Sequence, residues 1–350
     1  MRSRHRSRPR VLVARLDSLG DVLVTGPAIR AIAAHADVTL LCSGQGARVA
    51  PLLPGVSRFI AWDCPWITSP SPALDPAEIQ QMVDDIGALN IDEAVVLTSF
   101  HQSPLPLALM LRMAGVSRIT GASVDHAGAL LDNRLRPGET LPEDVPEPER
   151  ALAIASAAGF TLPADDDGRL QVQGWEGADV DLPARPYAVL HPGASAPART
   201  WPATRFRDTA VRLAEQGIVP VVTGSAHERA LTAQVAGNHG VDLGGALDIK
   251  QLAHVIAGAR AIVVANTGPA HLAAAVGTPV VSLFAPVVPS VRWAPYGVPH
   301  VLLGDQHAPC AGSRWRECAI PGHPCLSDVT ADDVWEALES VWETRKETLA

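Results

Sequence analysis

The sequence predicts an α/β protein of two Rossmann-like halves, each built on a parallel sheet, the two facing across a cleft. Three observations predict it. Apolar runs of strand length alternate with helical stretches in both halves, a rhythm that implies parallel strands joined by right-handed crossovers. The rhythm breaks between Asp132 and Pro186, where Pro and acidic residues gather, and then restarts. Residues 261–286 read strand, turn, helix, strand, and the turn Asn266-Thr267-Gly268-Pro269 presents small polar groups and free N–H groups at a helix start. At 350 residues the chain has room for two domains of ordinary size, and its 47% apolar content can fill a core in each.

The elements follow in order. Val11–Arg15 reads as a strand, and Leu16–Asp21 as a turn. Val22–Ala34 reads as a helix with an early Pro27, its Leu23, Ile29 and Ile32 at helical spacing. Val38–Cys42 is the next strand. A helix near Ala77–Leu89 leads to a strand at Glu93–Thr98, and Ala151–Gly159 is helical. After the boundary near Pro183–Pro186 come a strand at Tyr187–Leu190, a helix at Pro202–Gln216, a strand at Val219–Thr223 and helices at His227–Ala236 and Ile249–Ala257. Ala261–Val264 is a strand, Ala270–Val276 a short helix stopped by Gly277, and Pro279–Phe284 a strand. Ala331–Lys346 is the last helix.

Charge and cysteine usage exclude several classes. The net charge is −9, against the basic face of a nucleic-acid binder. The exception is the start, with arginines at positions 2, 4, 6, 8 and 10. It reads first as a flexible solvated arm, and second as a peripheral contact to anionic lipid. No apolar run approaches the ~20 residues that span a bilayer, and no signal peptide is expected. Five cysteines suggest no disulfide framework. A cytoplasmic protein follows, with an inner-membrane-face contact as the alternative. Cys310, Cys318 and Cys325, with His307 and His323, lack the paired spacing of a zinc site, so no metal is expected.

The candidate functional residues all follow strands. The first turn places Asp17 and Asp21 around Gly20 and lacks the G-x-G-x-x-G dinucleotide fingerprint. By spacing, Asp21 is equally a general base and a helix N-cap. His191–Ser195 is a second small-residue turn, with Arg199 shortly after it. A guanidinium beside backbone N–H groups and hydroxyls suits a diphosphate, and a solvated surface arginine has equal weight. Glu228 can receive ribose hydroxyls or simply complement a helix dipole. Asn266, Thr267 and Gly268 form a start that suits phosphate or sugar hydroxyls. His271, just beyond, reads first as a structural hydrogen bonder and second as a ligand contact.

Several of these segments together resemble one family, the ADP-heptose:lipopolysaccharide heptosyltransferases and relatives of glycosyltransferase family 9. Arg15–Leu23 with Thr25–Ala28 resembles the opening motif, and His191–Ser195 with Arg199–Pro202 the central one. Asn266–Leu272 with Gly277–Pro286 resembles the third, and Arg316–Cys318 with Gly322–Leu326 the tail. The resemblance implies a GT-B fold and a metal-independent, inverting transfer of heptose or a related sugar. The donor would be a nucleotide sugar, ADP-linked by the family's habit, and the acceptor a saccharide or glycolipid hydroxyl. No cofactor is implied beyond the donor as substrate. Asp21 becomes the base and Asp17 and Gly20 lie on the acceptor side. Ser195, Arg199, Glu228, Asn266, Thr267, Gly268 and His271 fall on the donor side. Arg199 stands where the family commonly has Lys, Asn266 where it has Asp, and Ser313 where relatives often have Cys. Asn keeps one acceptor oxygen, gains an NH₂ donor and loses the charge.

The expected division is a basic arm at 1–10, an acceptor-binding domain at 11–183, a nucleotide-sugar domain at 184–335, and a helix and tail at 336–350. Two alternatives stay open: a nucleotide-sugar epimerase of the same architecture, and a non-catalytic sugar-nucleotide binder.

Overall fold

The computed structural model describes residues 8–99 and 101–349. The chain forms two compact units, Met1–Gln171 and Val172–Ala350. Residues 172–183 thus go with the second unit. There Trp175 Nε1 donates to the Val172 carbonyl, its ring lies against His254, and Gln251 donates to the Asp179 carbonyl.

In the first unit the strands are β1 (Arg10–Arg15), β2 (Asp37–Cys42), β3 (Val56–Ala61), β4 (Glu93–Val96), β5 (Arg118–Ala122) and β6 (Asn133–Leu135). The helices are α1 (Leu19–Leu23), α2 (Gly26–Ala33), α3 (Gly44–Ala47), α4 (Pro76–Ala88), α5 (Leu105–Met113) and α6 (Glu147–Ala157). The sheet runs β3-β2-β1-β4-β5-β6, with every pair parallel. β1 is central: Val11–Ala14 pair with Val38–Leu41 on one side and Glu93–Val96 on the other. Buried from both faces, these strands read as continuous apolar runs. Leu12, Leu41, Ala94 and Ile119 pack with Ile86 of α4 and Leu111 of α5 in one core. Truncating a fully buried leucine such as Leu12 to Ala typically costs about 2–5 kcal/mol.

The single helix expected over Val22–Ala34 is two. Pro27 has no N–H to offer the Leu23 carbonyl, and the Thr25 N–H and hydroxyl both turn back to the Val22 carbonyl, so α1 ends and α2 begins anew. Most of the basic arm, residues 1–7, lies outside the described residues. Of the rest, Arg8 donates to the Ala33 carbonyl and Arg10 opens β1.

The second unit has β7 (Tyr187–His191), β8 (Val219–Val222), β9 (Val241–Asp242), β10 (Ile262–Ala265), β11 (Val280–Leu283) and β12 (His300–Leu303). Its helices are α7 (Ala203–Glu215), α8 (Arg229–Ala236), α9 (Ile249–Ala257), α10 (Gly268–Ala275), α11 (Ser290–Trp293), α12 (Pro324–Ser327) and α13 (Ala331–Leu349). The sheet runs β12-β11-β10-β7-β8-β9, again all parallel. Numbered within its own unit this is the same order as the first sheet. α13 is one continuous helix across the expected line at 335. It packs into the second unit, where Arg212 lies over the Trp335 ring and Arg260 over the Trp342 ring. Among the described residues no helix is long and apolar enough to cross a membrane.

In each sheet the chain works outward one way from the first central strand and the other way from its neighbour. The direction therefore switches between β1 and β4, and between β7 and β10. Crevices at the carboxyl ends of such strand pairs are where open α/β sheets bind ligands. Asp17 and Asp21 follow β1, Ser195 and Arg199 follow β7, and Asn266 follows β10.

Candidate active site

At the carboxyl end of β1 the chain buries a charge. Arg15 closes an otherwise apolar strand, and its side chain is 2% exposed. Burial works against the guanidinium, but Asp17, Asp21 and Glu147 more than offset it and hold Arg15 firmly protonated. Nη2 donates to Asp21 Oδ1 at 2.9 Å and to Ser99 Oγ at 3.0 Å. Nε lies 2.9 Å from Asp17 Oδ2 without the alignment of a hydrogen bond, and Nη1 lies 3.6 Å from Glu147 Oε2. One guanidinium thus fixes three carboxylates from β1's turn, α1 and α6. Glu147 sits in the first turn of α6, where Arg150 pairs with Glu143 and donates to the Thr98 carbonyl beyond β4.

Asp21 is held from its other side too. Oδ2 accepts from the Ser18 hydroxyl and from the Ser18 N–H at 3.1 Å. The N-cap of α1 is therefore Ser18, and Asp21 is the reciprocal member of a capping box. The cap role expected for Asp21 passes to Ser18. Capping engages one oxygen of Asp21, and Arg15 orients the other. Asp17 accepts from Gln102 and, at 3.4 Å, from Ser99 Oγ. Burial pushes its carboxyl up to about 6 against the pull of Arg15, and Asp21 and Glu147 add to the rise. Gly20 lies buried inside α1 between the two aspartates.

The second unit arranges different chemistry at the equivalent place. Arg199 Nη1 donates to the Asn266 carbonyl at 3.1 Å, joining the turn after β7 to the turn after β10. Asn266 is 5% exposed, and both its Nδ2 and Oδ1 lack a hydrogen-bond partner among the described residues. A buried side chain with both polar atoms unmatched is rare in a folded protein and calls for a ligand or water. Thr267 is the N-cap of α10, yet its hydroxyl turns back to the Ala265 carbonyl and makes no cap bond. With Pro269 in the first turn, the α10 N-terminus has no side-chain cap, and Gly268 opens it. His271 is buried in α10 with its ring 6.3 Å from that of Trp293.

Ser195 is exposed, and its carbonyl accepts from Arg316 Nη2 at 2.9 Å. The same tail segment adds a backbone clasp: the Ala198 N–H donates to the Arg316 carbonyl at 2.8 Å, and His323 Nε2 lies 3.1 Å from the Ala198 carbonyl. Glu228 closes the turn after β8. Its carboxylate accepts from the Ser225 N–H at 2.7 Å and fills the space beside Gly193, where a Cβ would fall 1.9 Å from Oε1. Only glycine at 193 lets that carboxylate sit there.

The structure thus brings Asp17, Gly20 and Asp21 together in the first unit. In the second it joins Asn266, Thr267 and Gly268 to Arg199, and sets Glu228 against Gly193. Spacing alone missed Glu147, Ser99, Gln102 and Arg316 as partners of these groups. Arg316 had a signal, since it lies in the tail motif. Glu147 had none, because only the fold brings it to Arg15. Cys310, Cys318 and Cys325 gather in the second unit, where burial and the two neighbouring thiols push Cys325 up to about 12. Among the described residues, no group of three or more His, Cys, Asp or Glu side chains is arranged to hold a metal ion.

Two doubly wound parallel units, with a carboxylate cluster on one and an anion-suited helix start on the other, define an α/β enzyme of GT-B type. A family model described as "Glycosyltransferase family 9 (heptosyltransferase)" matches residues 92–323, well over half of the chain. The chain belongs to this family and is a glycosyltransferase. It is 31% identical to lipopolysaccharide heptosyltransferase 1 of Pseudomonas aeruginosa, over 88% of this chain and 87% of that protein. Among solved structures it resembles E. coli ADP-heptose lps heptosyltransferase II, with a TM-score of 0.74 and 21% identity over 96% of this chain and 99% of that one. It also resembles E. coli heptosyltransferase WaaC with ADP-2-deoxy-2-fluoro heptose, at 0.71 and 22% over 95% and 99%. A more distant likeness, 0.55 and 14% over 97% and 77%, is to the iron-containing dodecameric glycosyltransferase TibC of E. coli.

Proposed function

We propose that the chain moves a heptose or related sugar from a nucleotide-sugar donor, ADP-linked like the ligand named for its structural relative, to a hydroxyl of a saccharide or glycolipid acceptor in cell-envelope synthesis. Asp21 takes the proton of the acceptor hydroxyl. The freed oxygen attacks the anomeric carbon, the bond to the diphosphate breaks with its electrons, and the nucleoside diphosphate departs. A single displacement inverts the anomeric centre. Arg199 and the α10 N-terminus meet the diphosphate charge, the role a divalent cation would otherwise fill. Ser195 lines that turn, Glu228 receives ribose hydroxyls, and Asn266 with Thr267, Gly268 and His271 receives the donor sugar. Arg15 and Ser18 hold Asp21 in place, and Asp17 and Gly20 lie beside it on the acceptor side.

The observation that carries this reading is Asn266, buried with both polar atoms unmatched among the described residues, at a helix start without a side-chain cap. Phosphate oxygens only accept, so they satisfy Nδ2 and leave Oδ1 bare. Hydroxyls both donate and accept, and satisfy both. Calorimetric titration with a panel of nucleotide sugars tests it, followed by a transfer assay on those that bind. The reading predicts micromolar or tighter binding of one donor class and product only when an acceptor is added. Turnover of donor alone to an epimer overturns transfer. The basic arm is assigned a contact to anionic lipid at the membrane's inner face. Sedimentation with phosphatidylglycerol vesicles should fall when residues 1–10 are removed, and undiminished sedimentation removes that assignment.

A further inference from the structure

We propose that His191 is a donor-binding residue that presents Nε2–H of a neutral imidazole to the diphosphate of the nucleotide donor. The inference rests on the nucleotide-sugar reading above and adds a residue to it. His191 is the last residue of β7 and pairs in register with Val264 of β10, two residues before Asn266. It therefore stands at the switch point, at the mouth of the turn that carries Ser195 and Arg199. The side chain is almost wholly buried, yet it has one hydrogen bond among the described residues, between Nδ1 and Thr223 Oγ1 at 2.9 Å.

That bond fixes the tautomer. Thr223 is fully buried, and Nδ1 of His191 is the acceptor within reach of its hydroxyl. A buried hydroxyl gives its proton to such an acceptor, because leaving it unmatched costs the desolvation of the group. Nδ1 then carries no hydrogen, and the ring's own proton sits on Nε2. Burial holds the ring neutral, with its titration lowered to about 4, and Glu228 is the charged neighbour that pulls the other way. Thr223, just beyond β8, and Asn266, beyond β10, bring no charge to it. A neutral ring suits a phosphate contact, because it donates from the acid range up through neutral pH, where an imidazolium would fade above about 6.5. Its contribution grows as charge builds on the departing diphosphate.

A purely structural histidine would serve only to tie β7 to β8 through Thr223, and two substitutions separate the roles. His191→Asn keeps an acceptor near Nδ1 for Thr223 and removes Nε2. His191→Gln places an amide N–H near Nε2 and gives up Nδ1. Donor binding through Nε2 predicts that His191→Asn weakens ADP and inorganic pyrophosphate about tenfold or more in calorimetry, while His191→Gln stays within about threefold of the parent. The reverse order, or two unaffected variants, overturns the proposal. Because either variant can lose stability, the parent chain labelled with 15N-histidine gives an independent readout. The expected spectrum shows His191 protonated at Nε2 and untitrated between pH 8 and pH 5, with its Nε2 signal moving on addition of ADP. A signal that stays still while calorimetry shows ADP bound overturns the role of His191 alone. If neither ADP nor pyrophosphate binds the parent chain, this inference falls together with the nucleotide-sugar reading.

Discussion

The two units share a strand order and place their polar residues at the same point of it, yet the chemistry there is opposite. Beyond β1 and β4 the chain gathers three carboxylates on one buried guanidinium. Beyond β7 and β10 it offers an uncapped helix start, an unmatched amide, a neutral imidazole and arginines. The first arrangement concentrates negative charge on a fixed cation, and the second presents hydrogen-bond donors and positive charge. One scaffold, used twice, sets where a ligand goes, and a handful of residues after the strands sets what happens to it.

The comparison can be broken most sharply at Asp21. Asp21→Asn should lower turnover about 10²- to 10⁴-fold and leave donor affinity intact, because the proposed base and the proposed donor-binding groups lie in separate units. Steady-state kinetics beside calorimetry checks both halves, and retained turnover removes Asp21 as base. Arg15→Met strips the cation from buried carboxylates and should cost about 3–5 kcal/mol of stability, read from denaturant midpoints. A loss below about 1 kcal/mol would mean that the cluster does not depend on Arg15. On the donor side, Arg199→Ala should weaken nucleotide-sugar binding about 10- to 100-fold, with Arg199→Lys in between because it keeps the charge and loses the fork. Unchanged titration curves would take Arg199 out of the site.

The remaining expected effect is on stability and depends on pH. Asp17 holds its proton up to about 6 in the folded chain, against 3.8 for an ordinary aspartate. Ionised Asp17 therefore costs the folded state on the order of 2–3 kcal/mol above pH 6, and the cost fades as pH falls toward 4. Asp17→Asn should gain on the parent above pH 6 and converge with it near pH 4, by denaturant melts at several pH values. His191 works the other way: held neutral down to about 4, it removes stability as pH falls below about 6.5. It does so in parent and variant alike, so their difference isolates Asp17. A difference that does not change with pH would sink the account of Asp17.

The strands and turns that carry the site can be read in the sequence because an apolar run followed by small polar residues has one meaning in a parallel sheet. Val11–Arg15, Tyr187–His191 and Ile262–Ala265 all announce themselves in this way. α5 does not, since Leu105–Met113 is apolar with little periodicity. Nor does β3, a sheet-edge strand whose residues are mostly exposed. Val22–Ala34 misleads because helical spacing continues through Pro27 while the hydrogen-bond ladder does not. The supporting partners are the hardest to see. Glu147 reaches Arg15, and Arg316 reaches Ser195, across more than a hundred residues, and local pattern says nothing about such pairs.

The clasp of the tail on the turn after β7 also sets an order of assembly. Ala198 and Ser195 find their partners in Arg316 and His323, which leave the ribosome long after the turn itself. During synthesis the first unit can close its sheet and its carboxylate cluster while the turn after β7 still waits for residues 316–323. A nascent chain stalled before residue 316 would carry a finished carboxylate cluster and an unfastened turn after β7. Limited proteolysis of stalled chains of graded length would see that turn become protected only once residues 316–323 have emerged.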